Sequence, residues 1–478
     1  MPGNSGYRRR VTRHLTRSLT LLATLAVGAT TLAPVAADAS GTAAGSATVA
    51  PAALPPVSLA AQTRMAALLP QRVTAAKALG TSRTGLVADL ETGTTIWQAG
   101  SRTPMRGAST TKLATAITAL RLLGTTTRFP TRVVTGRTRT EVVLVGGGDP
   151  SLTSGQLSTL ARATAVALLT SLAPARAAAL SPPSIDGVPS PTPVKRPAPR
   201  ALRITVRLDD TLYPAPTAAT GWTSSYQPYV VRPVRPLVRD HRVGWDVALD
   251  AAAYFSSRVN AELAALTTGR RDIVTSASYA GRLAHPAAAT EIARFAGNTS
   301  RTALARMLLI SDNDIAEMLF RDNAIAAGRT GSWRDATTTE LEELRKLGVP
   351  TAGWALYDGS GVSRSDRVSA AGLVAILRAA LAPEHPELSP LKPMLPVAGV
   401  SGTLQHRFTS APTRCAARRV FAKTGTLFDT IGLAGYSLGS DNRLRAFAVL
   451  VHKTGSTYSQ AAVRRAAEIV PATATGCY

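Results

Sequence analysis

The sequence has little cysteine, little lysine and few acids for its size, and each shortage narrows what the chain does. Two cysteines in 478 residues, Cys415 and Cys477, exclude a four-cysteine zinc cluster and a disulfide-rich scaffold. The six histidines show no HExxH or HxH spacing, so no metal is implied, and no motif calls for a cofactor. Acids number 29 against 54 basic residues, a formal charge of +25. Of the basic residues 47 are Arg and only seven are Lys, so the position of a lysine is unusually informative. What is plentiful is ordinary folding material: 45% of residues are hydrophobic and 17% charged, in a length suited to two or three domains.

The N-terminus carries Arg8, Arg9, Arg10, Arg13 and Arg17, then the uncharged apolar stretch Leu19 to Leu32, then Ala37-Asp38-Ala39. This is the pattern of a secretory signal peptide over residues 1–39. The stretch falls short of the roughly 20 residues that a bilayer-spanning helix needs. Export to the cell envelope makes nucleic acid an unsuitable partner. The positive charge suits anionic wall polymers or lipid headgroups, or it serves solubility alone. In an oxidising compartment Cys415 and Cys477 either pair or remain two buried thiols.

Residues 40–56 are small, polar or Pro-containing and read as a flexible spacer. A second low-complexity piece, 180–200, has seven prolines in 21 residues and reads as a surface loop. The pattern predicts a hairpin over Thr84 to Gln98 around Glu91-Thr92-Gly93. It predicts a helix from Ser109 with Leu113, Ile117 and Leu120 on one face. Strands at Val142 to Val145 and Leu202 to Leu208 alternate with Ala-rich helices, and helical periodicity is predicted over Thr290 to Phe320. Strands Ile431 to Leu438 and Leu444 to His452 flank a turn, and a helix from Ser456 to Val470 turns Ala462, Val463, Ala466 and Ile469 inward. The expected architecture is α+β, with 57–130 and 291–478 forming one antiparallel-sheet domain split by an insertion at 131–290.

Three short stretches carry chemistry. In GASTTKLAT, Ser109 and Lys112 stand three apart at a helix start, where a hydroxyl and an amine share a face and backbone N–H groups favour an anion. Ser311-Asp312-Asn313 joins two apolar helices, a place equally suited to a capping turn. Lys423-Thr424-Gly425-Thr426 precedes a strand, where glycine lets a ligand approach the backbone and Lys and Thr offer donors to a carboxylate. A second KTG, Lys453-Thr454-Gly455, opens the terminal helix and reads as a strand-to-helix turn. Gly146-Gly147-Gly148 lacks the GK[ST] of a phosphate loop and reads as a turn after a strand.

The order SxxK, SDN, KTG is that of serine enzymes acylated by penicillin. With GGGDPSL at 146–152, LDDTLY at 208–213, YDGSGVSR at 357–364 and LPVAGVSGTLQHRF before FAKTGTL, the chain resembles the D-alanyl-D-alanine carboxypeptidase/endopeptidase family of low-molecular-mass penicillin-binding proteins. Ser109 and Ser311 stand about 200 residues apart, too far for a class A β-lactamase and enough for that family's inserted domain. The resemblance implies a penicillin-recognising domain split by a smaller α/β region. It implies stem peptides ending in D-Ala-D-Ala as substrate and β-lactams as covalent inhibitors.

The resemblance also assigns roles. Ser109 is the nucleophile and Lys112 its base, neutral part of the time through burial and the nearby charge of Lys423. Ser311 relays the proton and Asn313 holds the substrate amide. Lys423 and Thr424 bind the terminal carboxylate, beside Gly425, while the N–H groups of Ser109 and Thr426 form the oxyanion hole. Asp209 reaches the amine end of the stem peptide, unless it is only a strand-end turn residue. Two alternatives stay open: a serine β-lactamase, although Glu340, Glu342 and Glu343 show no ExxLN-like pattern, and a noncatalytic wall-binding protein.

Overall fold

A computed structural model describes residues 56–173, 198–452 and 457–478. The predicted signal peptide, nearly all of the predicted spacer and the proline-rich stretch, and the second KTG lie outside the described residues. The chain enters through helix α1 (Pro56–Ala75), with Pro at its first position where its missing N–H costs nothing. The predicted hairpin follows as β1 (Arg83–Asp89) and β2 (Thr95–Ala99). Next come a single 3₁₀ turn, Ala108–Thr111, and α2 (Lys112–Leu122), whose residues up to Leu120 are all buried.

The chain then leaves for a second sheet. Strands β3 (Thr131–Thr135) and β4 (Glu141–Val145) lead into α3 (Ser154–Leu172), β5 (Arg200–Asp209), α4 (Val247–Leu266), β6 (Ile273–Arg282) and β7 (Glu291–Phe295). The order is β6-β5-β4-β3-β7. The pairs β4/β5 and β5/β6 are parallel, so α3 and α4 make the crossovers that parallel strands require. Here the structure corrects the predicted helix from Thr290: residues 291–295 are a strand paired with β3. A five-residue segment reveals such a choice only when its partner, about 160 residues earlier, is in place.

Helices α5 (Ser300–Ile310), α6 (Asn313–Ala326), α7 (Trp333–Lys346) and α8 (Ala370–Ala379) return to the first sheet. Strands β8 (Val420–Leu427), β9 (Thr430–Leu438) and β10 (Leu444–His452) complete it in the antiparallel order β2-β1-β10-β9-β8. The predicted terminal helix is two pieces, α9 (Gln460–Ala467) and α10 (Ile469–Ala474). Val463 and Ala466 are buried as predicted, whereas Ala462 and Ile469 are half-buried, Ile469 lying just past the break at Glu468.

Strand alternation decides which core each side chain joins. Leu86, Ala88, Ala434, Tyr436, Ala446 and Ala448 pack beneath α2, α5, α6 and α8. Val87, Ile431, Leu433, Phe447 and Val449 face the opposite way, onto α1, α9 and α10. The first sheet is thus sandwiched between helices, and β8 is an edge strand beside the 3₁₀ turn, bridged on its outer side to Val397 at Phe421. Cys415 and Cys477 are joined in a disulfide, with Cα atoms 5.6 Å apart.

Candidate active site

Ser109 lies in the 3₁₀ turn, half-buried, and Lys112 opens the helix one turn on with its side chain fully buried. The turn is pressed against β8 and β9 by glycines. A Cβ on Gly425 would meet the Gly107 carbonyl at 2.7 Å and the Ser109 nitrogen at 3.2 Å, and one on Gly432 would meet the same carbonyl at 2.8 Å. Only a strand without side chains at these positions approaches the serine so closely.

The Lys112 amine makes three hydrogen bonds: to Ser109 Oγ at 3.0 Å, to Asn313 Oδ1 at 2.7 Å and to the Ser360 carbonyl at 2.9 Å. The SDN triplet is both a cap and a part of this cluster. Ser311 ends α5 in the left-handed conformation at φ 65°, and the Asp312 side chain caps α6 by accepting from the Ile315 N–H at 3.1 Å. That bend sends the Ser311 and Asn313 side chains toward the two lysines. Asn313 Nδ2 donates to the Val230 carbonyl at 2.7 Å. The buried Lys423 amine donates to Ser311 Oγ at 2.8 Å and to the Thr424 carbonyl at 2.9 Å. Thr424 Oγ1 donates to Thr403 Oγ1 at 2.9 Å, and Thr426 is exposed at the strand edge.

Burial pulls the Lys112 amine down to about 8, against the carboxylates Glu317, Asp358, Asp312 and Asp314, which favour its charged form. The repulsion expected from Lys423 is felt at Lys423 itself, which lies well below the ordinary lysine range through burial first and the charge of Lys112 second. A hydroxyl, a readily deprotonated amine and a second hydroxyl on a second buried amine are together the equipment for acyl transfer to serine.

A family model described as D-Ala-D-Ala carboxypeptidase 3 (S13) matches residues 66–241 and 248–472, most of the chain. The chain belongs to that family. The carboxypeptidase DacB of Mycolicibacterium smegmatis is 31% identical to this S13 chain over 388 residues, covering 78% of it and 77% of the relative. A carboxypeptidase of Mycobacterium tuberculosis is 30% identical over 388 residues, covering 78% and 76%. Penicillin binding protein 4 of Haemophilus influenzae superposes with a TM-score of 0.63 over 84% of this chain and 97% of that one; at 19% identity the likeness is one of fold. The α+β penicillin-recognising fold with an inserted α/β region is therefore the fold of this S13 chain.

Asp209 stands apart from the S13 cluster. At the end of β5 it accepts from the Thr211 N–H at 2.9 Å, Thr211 Oγ1 at 2.6 Å and the His285 N–H at 2.9 Å, and its Oδ2 lies 2.6 Å from His285 Nδ1. It lines a cavity of about 500 Å³ with Gly146, Gly147, His285 and Asp322, and none of the three motifs contributes to that cavity. The strand-end turn role is the one the structure gives it. Sequence reasoning missed the Ser360 carbonyl and the carboxylates under Lys112. The YDGSGVSR stretch stood out by resemblance, but a backbone acceptor has no side-chain signature.

Proposed function

We propose that Ser109 is the nucleophile through which this serine-type D-Ala-D-Ala carboxypeptidase cleaves peptidoglycan stem peptides. Ser109 Oγ attacks the carbonyl of the penultimate D-alanine while its proton passes to the Lys112 amine. Ser311 relays that proton from the Lys112 ammonium to the D-alanine amine as its C–N bond breaks, and water then hydrolyses the acyl-enzyme and restores the Ser109 hydroxyl. An amine titrating near 8 is neutral in roughly a tenth of molecules at pH 7, close to what efficient proton transfer asks of a base. The observation carrying the reading is the Lys112 amine held between Ser109 Oγ and Asn313 Oδ1. Asn313 and Lys423 are engaged within the protein, so the substrate amide and carboxylate take up those donors by displacing present contacts. The N–H groups of Ser109 and Thr426 receive the oxyanion, with Thr424 beside the carboxylate.

A fluorescent penicillin is expected to label the protein covalently and to fail on Ser109→Ala; undiminished labelling of that variant overturns the assignment. A β-lactamase would need a group that activates water for fast deacylation. Glu343 is paired with Arg121 at 2.8 Å and Glu342 with Arg329 at 2.7 Å, while Glu340 is buried against Thr115. D-Alanine release from a stem-peptide analogue is therefore expected to outpace nitrocefin turnover.

Three further points belong to the same reading. Residues 1–39 direct export and are removed, which N-terminal sequencing of the secreted protein checks. The excess of arginine favours contact with anionic wall polymers or lipid headgroups, visible as salt-sensitive sedimentation with isolated walls. The inserted region 131–290, with β7 closing its sheet, separates the two parts of the catalytic domain along the chain and brings Val230 to Asn313 and Trp222 to Asp358.

A further inference from the structure

Lys112 spends its third hydrogen bond on a backbone carbonyl, that of Ser360, and what holds that carbonyl is a pair of buried carboxylates. Glu317, one turn beyond Asn313 on α6, accepts from the Gly359 N–H at 2.8 Å and from the Ser360 N–H at 3.1 Å. Asp358 accepts from the Gly361 N–H at 2.7 Å, the Ser363 N–H at 2.6 Å and Trp222 Nε1 at 2.7 Å. Both acids are fully buried. The loop has no room to shift: a Cβ on Gly359 would meet Phe320 Cβ at 2.5 Å, and one on Gly361 would meet the Ala108 carbonyl at 2.0 Å. It is wedged between α6 and the nucleophile turn.

Both oxygens of Glu317 accept backbone N–H groups, one each, which suits the ionised form; a carboxylic O–H would face a donor. Burial and the neighbouring charge of Asp358 push this carboxyl well above the ordinary glutamate range, and the two N–H donors and the charge of Lys112 offset only part of that push; the donor on each oxygen is what favours the ionised form. Lys112 and Arg321 are the cations that face Glu317, and Asp358 and Asp366 the acids. Around Lys112 stand Asp312 and Asp314 at the start of α6, Glu317 further along it, Asp358 from the loop and Lys423 from β8. Glu317 alone among these carboxylates accepts from the N–H of Ser360, the residue whose carbonyl Lys112 grips.

We propose that Glu317 is a positioning residue for the general base: it fixes the Ser360 carbonyl on the Lys112 amine and supplies the negative charge that holds the ammonium form. The proposal rests on the reading of Lys112 as the base of Ser109. In Glu317→Gln the amide keeps the volume, accepts from one N–H, turns its own NH₂ against the other and removes the charge. The test is the second-order rate of Ser109 acylation by fluorescent penicillin across the acid limb of its pH profile.

The expected result is a plateau lower by about tenfold or more, with the limb moved to lower pH because Lys112 gives up its proton more readily. Glu317→Asp keeps the charge but shortens the reach, so its plateau falls while the limb stays near that of the wild type. A Glu317→Gln limb that superimposes on the wild-type limb overturns the proposal, whatever its plateau. Should Glu317→Gln fail to fold, judged by circular dichroism, Glu317→Asp decides alone, and an unchanged plateau overturns the proposal. Labelling that survives in Ser109→Ala would instead remove the reading underneath, so the two failures are distinguishable.

Discussion

At the scale of single residues, the chemistry depends on an amine that burial keeps short of full protonation. Burial pulls the Lys112 amine down to about 8, so its neutral form reaches about half there and nearly all of the population a pH unit or more above. The acylation rate is expected to climb about tenfold per pH unit below 8 and to level off above, read from stopped-flow labelling. Lys112→Arg keeps a cation that does not deprotonate, and its labelling is expected to fall by about 10²-fold or more even at high pH. Ser311 separates backbone from side-chain function. At φ 65° glycine fits without strain, so Ser311→Gly is expected to remain within about 1 kcal/mol of the wild-type stability by chemical denaturation. Having lost its hydroxyl, that variant should still label about 10²-fold more slowly. The two lysines were legible because lysine is rare here. Their shared burial was not, since no local pattern announces an amine placed inside.

At the scale of elements, the site is a contact between an edge strand and a one-turn helix. β8 is an edge strand whose first half is bridged to Val397 through Phe421, and Gly425 in its second half lets the strand lie against the Ser109 turn. Gly425→Ala puts a methyl carbon 2.7 Å from the Gly107 carbonyl, so strand and turn must part. Acylation is expected to fall by about 10²-fold with the circular dichroism spectrum unchanged, because a displacement of about 1 Å is enough to spoil attack geometry. The elements that sequence reading located well, the β1/β2 hairpin, α2 and the β9/β10 pair, carry their own periodicity and turn signals. The misread strand at 291–295 and the broken terminal helix depend on distant partners, β3 for the one and, for the other, Arg407, Phe408 and Thr413, which donate to the Glu468 carboxylate at the break.

At the scale of the whole molecule, the last residues are tied back to the approach of β8. Cys477 follows α10, and Cys415 precedes β8 by a few residues; the bond closes a loop of 62 residues. Replacing both by alanine is expected to lower the unfolding free energy by about 4 kcal/mol, by the loop-entropy argument, measured by denaturant titration under non-reducing conditions. Penicillin labelling of the folded fraction should persist, since neither sulfur touches the Lys112 cluster. The insertion leaves between α2 and α5 and returns before the SDN turn, so the first sheet is assembled from the segments on either side of it. The change of pattern along the chain suggested an insertion at 131–290, whereas the place of β7 at 291–295 in the second sheet and the mixed order β6-β5-β4-β3-β7 were not legible.

The sequence by itself determined which chemical groups this protein owns and their spacing: a serine one helical turn from a rare lysine, a polar triplet between apolar helices, a glycine after a second rare lysine. Those are local facts, fixed by composition and periodicity. Only the tertiary structure decided which of them touch. It placed Lys112 among Ser109, Asn313 and the carbonyl of Ser360, set Lys423 on Ser311, and left Asp209 holding a turn in the other sheet. The physical reason is that burial and hydrogen bonding depend on residues hundreds of positions apart, and a lysine becomes a base only where the folded chain withholds water from it.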